Sequence, residues 1–213
     1  MPDPVVFGAA YSVYVRIVRL ALAEKRIHYQ LHEVDVFAPG GPPAEHRARH
    51  PFGRIPAFEH DGFRLYEAGA ITRYVEEAFL GPRLQPADVR HRGRMNQAIS
   101  VLDAYAYRTL VWDIFVERVR APAQGRHPDE ARIAAALPRA VACLAALEAL
   151  MEGQSWLAGG ALTLADLHAA PMFAYFTMTP EGRDLMARHA TLLGWWEAIS
   201  VRESMAQTRS PLE

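Results

Sequence analysis

Every stretch of this 213-residue chain that reads as a β-strand lies in its first third, and that asymmetry constrains the fold most. Val5-Val6-Phe7-Gly8 is a short β-branched and aromatic run that ends in small residues and Ser12. From Val13 to Lys25 the apolar positions Ile17, Leu20 and Ala21 recur three to four apart, the period of a helix face. Residues 28–36 alternate imperfectly and read as a second strand, and Ala44 to His50 has room for one or two helical turns. Ile55–Glu59 and Phe63–Tyr66 flank His60-Asp61-Gly62, and an Asp-Gly pair between strand-like runs is a hairpin signal. From Glu67 the period turns helical again through Ile71, Tyr74, Val75, Ala78 and Phe79. The order over residues 1–80 is therefore β-α-β-α-β-β-α, an α/β unit.

The breaker-rich stretch from Gly81-Pro82 to Pro86 marks the boundary, and residues 88–213 read as all-α. A long helical pattern covers 88–120, and a loop runs from Ala121 to Pro128. The next helix extends through Met151, with a kink or interruption expected at Pro138, because proline lacks the amide hydrogen a helix interior needs. Gly159-Gly160 is a turn. Thr163-Leu164-Ala165-Asp166 has the form of a capping box, Pro171 suggests a kink in the helix it opens, and Leu192 to Val201 reads as the last helix.

Composition limits the function classes. A net charge of −1 gives no electrostatic case for nucleic acid. Lys25 is the one lysine among 23 basic residues, and the arginines are scattered among acids, so no basic stripe forms. A single cysteine, Cys143, rules out an internal disulfide framework and fits a reducing, cytoplasmic setting. The sequence shows no uninterrupted apolar run near the roughly 18 residues of a membrane span. Met1-Pro2-Asp3-Pro4 lacks the basic-then-apolar pattern of a signal peptide, so none is expected. His28/His32 and His46/His50 have four-residue spacing but no third ligand or nearby cysteine, so no metal site is expected.

Three motifs carry a family resemblance. His50-Pro51-Phe52-Gly53-Arg54-Ile55-Pro56 is similar to the Asn-Pro-x-Gly-x-Val/Ile-Pro motif of glutathione S-transferases. Leu65-Tyr66-Glu67-Ala68-x-Ala70-Ile71-x-x-Tyr74 resembles the same family's Leu-x-Glu-Ser-x-Ala-Ile-x-x-Tyr. Trp156-Leu157-Ala158-Gly159 followed by Leu162-Thr163-Leu164-Ala165-Asp166 resembles its helical-domain signature. The resemblance spans nearly the whole chain. It implies a thioredoxin-like first domain, an all-helical second domain, a homodimer, and a cis peptide at Pro56, before which the main chain of Ile55 pairs with the cysteinyl part of glutathione. It also implies a detoxifying transferase that uses glutathione as co-substrate, with no metal, and joins it to a small hydrophobic electrophile.

Such chemistry requires a thiolate, because the thiol form is a poor nucleophile. Phe7-Gly8-Ala9-Ala10-Tyr11-Ser12 resembles phi-class and related bacterial enzymes that place a serine here, at the start of the first helix. Ser12 is equally a preferred helix N-cap, and Tyr11 and Tyr14 are rival hydroxyls, Tyr14 the better one. Arg16, one turn on, suits either a positive field or a structural ion pair. Glu67 and Ala68 are implied to hold the γ-glutamyl end at the start of the third helix. Two departures stand out: Ala68 replaces the usual Ser or Thr, and Gly41-Pro42 stands where phi-class enzymes place His and Lys for the glycine carboxylate. Arg54 is the candidate cation in their stead. Tyr11, Tyr14, Tyr107, Val111, Trp112 and Phe115 are the candidates for an electrophile site between the domains, with core packing the rival role for the aromatics. Phe52 is placed either in a partner subunit or in the core. Other glutathione-dependent reactions (peroxide reduction, dehalogenation, isomerisation) and a non-catalytic binding protein are the alternatives.

Overall fold

The structure is a computed structural model describing residues 2–213. The chain folds into two compact units. The first holds the residues up to Leu84 together with Glu203–Leu212, and the second holds Gln85–Arg202.

In the first unit the elements follow the order β1 (Val5–Phe7), α1 (Val13–Glu24), β2 (Gln30–His32), α2 (Ala44–Arg49), β3 (Ala57–His60), β4 (Phe63–Tyr66) and α3 (Ala68–Ala78). The four strands form one mixed sheet in the order β2-β1-β3-β4, with β1 parallel to β2 and antiparallel to β3. The element order is the one the sequence pattern predicts, and the arrangement is the thioredoxin-like one that the resemblance implies. The hairpin closes at Asp61 and Gly62, with φ of 49° and 78°, the positive pair that Asp-Gly adopts at low steric cost. Its register pairs His60 with Phe63 and Ala57 with Tyr66. The second strand is shorter than expected, since the chain leaves the sheet after His32.

Helix α1 is buried on nearly every side, with Val15, Ile17, Val18, Leu20, Ala21 and Leu22 fully inaccessible. One of its sides is covered by α3 and another by a short helix, α10 (Glu203–Gln207), from the end of the chain. The helical pattern alone did not foretell that return of residues 203–212 to the first unit. Lys25, the only lysine, is buried at the end of α1. Its ammonium donates to the Glu76 carboxylate (2.8 Å) and to the carbonyls of Glu76 and Pro82.

The second unit is helical throughout, as expected. Asp88 caps α4 (Val89–Val101), which continues as a π-helical segment, Leu102–Arg120, and ends in a single turn, α5 (Ala121–Ala123). The wider winding shows where the Ala121 amide reaches back five residues to the Val116 carbonyl. Helix α6 (Glu130–Met151) runs through Pro138 without a break, so the interruption expected there is absent. Pro171 likewise sits inside an unbroken α7 (Leu164–Phe176), and α8 (Pro180–Met186) and α9 (Ala190–Ser200) follow. By length and composition alone α6 is apolar enough to cross a membrane. It packs against the π-helical segment, and Arg132 and Arg139 on it pair with Asp113 there.

The capping box at α7 is built as its sequence suggests. Thr163 accepts from the Ala165 amide and donates to Asp166, whose carboxylate also accepts from the Thr163 and Leu157 amides and from the Trp195 indole. Asp166 is fully buried, and desolvation pushes its carboxyl above the usual range against the pull of those four bonds.

Candidate glutathione site

Ser12 is the N-cap of α1, with extended backbone (φ −73°, ψ 129°) and its oxygen accepting the Val15 amide at 3.4 Å. Capping and thiol contact are compatible roles. The cap uses a lone pair of the hydroxyl, and the hydroxyl hydrogen remains available as a donor. The first turn of α1 carries no acidic residue, so nothing on the helix offsets the positive end of its dipole. The turn before Ser12 is fixed by the Ser12 amide to the Ala9 carbonyl (2.9 Å) and by the Ala10 amide to the Glu33 carboxylate (3.3 Å). Glu33 was not singled out by the sequence, since a solvated glutamate after a strand carries no motif.

Tyr11 and Tyr14 are both half-buried, and the Tyr11 ring stacks on Phe37 at 6.5 Å between centroids. Phe37 is 68% exposed in the loop after β2 and is a second residue that no sequence motif marks. Arg16 is buried, and its guanidinium donates to Thr208 Oγ1 and to the Met205 carbonyl.

The Ile55–Pro56 peptide is cis, as the resemblance implies. The β1–β3 ladder ends at Phe7 and Ala57, so Ile55 lies just past the last sheet pair with its main chain at the sheet's end. Gly8 sits against it: a methyl built there would come within 2.3 Å of a Val15 methyl and 3.2 Å of Ile55 Cβ. Only glycine fits that approach.

Glu67 precedes α3 with φ 70° and ψ 116°, a left-handed backbone that is strained for a non-glycine residue. Its carbonyl accepts the Ala70 and Ile71 amides, while its side chain is exposed and makes no capping bond. The first turn of α3 thus keeps open amides and no acid, which suits a carboxylate. Ala68 is buried, so the methyl that replaces the usual hydroxyl packs into the protein.

Around these elements lie two histidines and two arginines, His46, Arg47, His50 and Arg54. His46 Nε2 donates to the Arg54 carbonyl at 2.8 Å, and Arg47 donates to the carbonyls of Pro42 and Gly40. His50 is buried against the Tyr66 ring, with centroids 4.8 Å apart. Burial holds its imidazole below the usual range, Glu67 opposing the shift and His46 and Arg54 adding to it. Phe52 is 71% exposed and lies edge-on to Tyr66. Among the described residues no group of three or more His, Cys, Asp or Glu is gathered as a metal ion would need.

In the second unit Tyr107 and Trp112 are half-buried, Val111 is buried, and Phe115 stacks face to face on Tyr175 at 4.3 Å. The segment that carries them is pinned by Asp113, a buried carboxylate that accepts from Arg108, Arg132 and Arg139.

Residues 6–83 match the N-terminal domain of glutathione S-transferases, and residues 130–198 match their C-terminal domain. The chain belongs to the glutathione S-transferase family. A probable glutathione S-transferase of Oryza sativa subsp. japonica is 29% identical over 206 residues, covering 94% of this chain and 92% of its own. Among solved structures, a glutathione transferase of Populus trichocarpa superposes with a TM-score of 0.84 at 28% identity, covering 96% of this chain and 97% of its own. A theta-class glutathione S-transferase of Xanthomonas axonopodis pv. citri, solved with glutathione bound, gives 0.83 at 26% identity and covers both chains fully. The sequence motifs and the glutathione S-transferase fold therefore agree along the whole chain.

Proposed function

We propose that this chain is a glutathione transferase that joins the glutathione sulfur to a small hydrophobic electrophile, with Ser12 holding the thiolate. The observation that carries the reading is the Ser12 cap. Its oxygen takes the Val15 amide, its hydrogen is left to donate, and it sits at the positive end of α1. The thiol loses its proton to solvent. The thiolate sulfur then attacks the electrophilic carbon, a C–S bond forms, and the leaving group departs with its electron pair. Lowering the thiol from about 8.5 by two units requires about 2.7 kcal/mol of thiolate stabilisation. One hydroxyl donor and one helix terminus supply that scale.

Ile55 is read as the strand partner of the cysteinyl backbone, Pro56 as the turn that presents it, and Glu67 with the Ala68 amide as the γ-glutamyl site. Tyr11 and Tyr14 of the first unit and Tyr107, Val111 and Trp112 of the second are read as electrophile contacts. Phe115, stacked on Tyr175, is assigned to the same set with packing as its main role. The assembly is read as a cytoplasmic homodimer into which the exposed Phe52 inserts. Calorimetric titration with glutathione, followed by a conjugation assay with chlorodinitrobenzene, tests the activity. Micromolar to sub-millimolar binding and turnover support it. Binding without turnover on several electrophiles favours a non-catalytic glutathione-binding protein.

A further inference from the structure

In a helix whose hydrogen bonds span five residues, side chains five apart lie nearly one above the other. Two stripes of the π-helical segment Leu102–Arg120 follow from that winding. Tyr107, Val111 and Phe115 are spaced by fours and Trp112 is five from Tyr107, so the candidate electrophile contacts share one broad stripe. Arg108, Asp113 and Glu117 form a second stripe, shifted by one residue, which is roughly a quarter turn around the axis. Arg108 Nε donates to Asp113 Oδ1 at 3.0 Å, a bond between residues five apart. In an ordinary α-helix those two residues would point about 140° away from each other.

The charged stripe is gripped from α6. Arg132 Nε donates to Asp113 Oδ1 at 2.9 Å, and Arg139 Nη2, seven residues on and on the same face of α6, donates to Oδ2 at 3.0 Å. Arg132 also reaches Glu117 from Nη1 at 2.9 Å, and the Asp129 amide before α6 donates to the same glutamate at 3.3 Å. Arg118 fixes the end of the segment to Glu130 of α6 and Glu181 of α8. Asp113 and Glu117 are both buried, so rotating the segment would leave their charges without partners in the interior. Ionic contacts of this kind select one register more than they add stability. Arg108 and Arg139 have side chains that are 65% and 53% exposed, so either can be changed without opening the core.

We propose that Asp113 is a positioning residue for the electrophile: held by Arg108, Arg132 and Arg139, it fixes the rotation of the segment and so the direction in which Tyr107, Val111 and Trp112 face. This rests on the electrophile reading above and extends it to a carboxylate that touches no substrate. Loss of the grip turns the aromatic stripe and leaves the glutathione residues of the first unit untouched.

The test measures the affinity of glutathione and of S-hexylglutathione, whose hexyl chain stands in for the electrophile, by calorimetry. The proteins are wild type, Asp113→Asn, Arg108→Gln, Arg139→Gln, Arg139→Lys and, as a check on the electrophile reading, Trp112→Ala. Wild type should bind S-hexylglutathione more tightly than glutathione. That advantage should shrink about threefold to tenfold in Asp113→Asn and in both Gln variants, with the affinity for glutathione itself changing by no more than about twofold. Arg139→Lys should restore part of it, and KM for chlorodinitrobenzene should rise in the Gln variants while KM for glutathione holds. A merely structural role would lower the melting temperature and leave the ratio of the two affinities alone. If Trp112→Ala shrinks the advantage and both Gln variants keep it, the positioning role is overturned and the electrophile reading stands. If wild type shows no advantage, or Trp112→Ala leaves it unchanged, the electrophile reading falls and the proposal with it.

Discussion

Arg16, one turn into α1, donates from Nε to Oγ1 of Thr208, 192 residues further along the chain, at 3.4 Å. Its Nη2 reaches the Met205 carbonyl at 3.1 Å, and Arg19 reaches the Thr208 carbonyl at 3.3 Å. A buried guanidinium must have its donors satisfied, and the end of the chain supplies acceptors. Of the two roles the sequence left open for Arg16, these bonds support a structural one.

Thr208 is fully buried and similar in shape to valine. Thr208→Val removes the acceptor for Arg16 Nε while keeping the volume. The expected cost is about 1–3 kcal/mol, read as a lower midpoint in urea with an unchanged slope. An unchanged midpoint would show that the tail contributes no more than surface contact.

Asp166 accepts four donors with its two oxygens: the Leu157 and Thr163 amides, the Thr163 hydroxyl and the Trp195 indole. In Asp166→Asn an amide group must face a donor, so a buried repulsive contact replaces an attractive one. A loss of at least about 3 kcal/mol is expected, with a shift in Trp195 fluorescence as its indole loses its acceptor. Wild-type stability in this variant would contradict the assignment of the box as the anchor of α7.

His50 supplies a pH dependence. Burial lowers its folded-state pKa below the unfolded value of about 6.5, so the unfolded chain binds more protons in the range beneath it. Stability should therefore fall as pH drops below about 6.5 and level off only below the folded pKa. His50→Asn restores the residue usual in the motif and removes this component. Melting temperatures from pH 7.5 to 5 should decline less steeply in the variant, and parallel declines would assign the effect to other groups.

Phe52 is the most exposed aromatic side chain among the described residues, and its ring lies beside Tyr66 and His50. If it inserts into a partner subunit as proposed, Phe52→Ala should weaken the dimer at least tenfold in sedimentation equilibrium, as an anchor residue does. A wild type that sediments as a monomer would contradict the dimer itself.

What was legible in the sequence follows from locality. The Asp61-Gly62 turn, the Thr163–Asp166 box and the Ser12 cap are each written in a few adjacent residues, and the structure forms all three. Pro138 does not interrupt α6, because proline's cost depends on surroundings: the carbonyl it leaves unbonded belongs to Ala134, which is exposed. Glu33 and Phe37 carry no sequence signal because their contacts, to the Ala10 amide and the Tyr11 ring, form between segments that meet only in space. The same holds for Arg16 and Thr208, whose separation no periodicity can express.

The central claim is that the start of α1, through Ser12, makes the glutathione thiol acidic. The most direct measurement is the ultraviolet titration of the bound thiolate against pH in wild type and in Ser12→Ala. The wild-type midpoint should lie about two units below the free-thiol value of about 8.5, and it should rise by at least about one unit in Ser12→Ala with glutathione still bound. A midpoint that is the same in both proteins would contradict the claim.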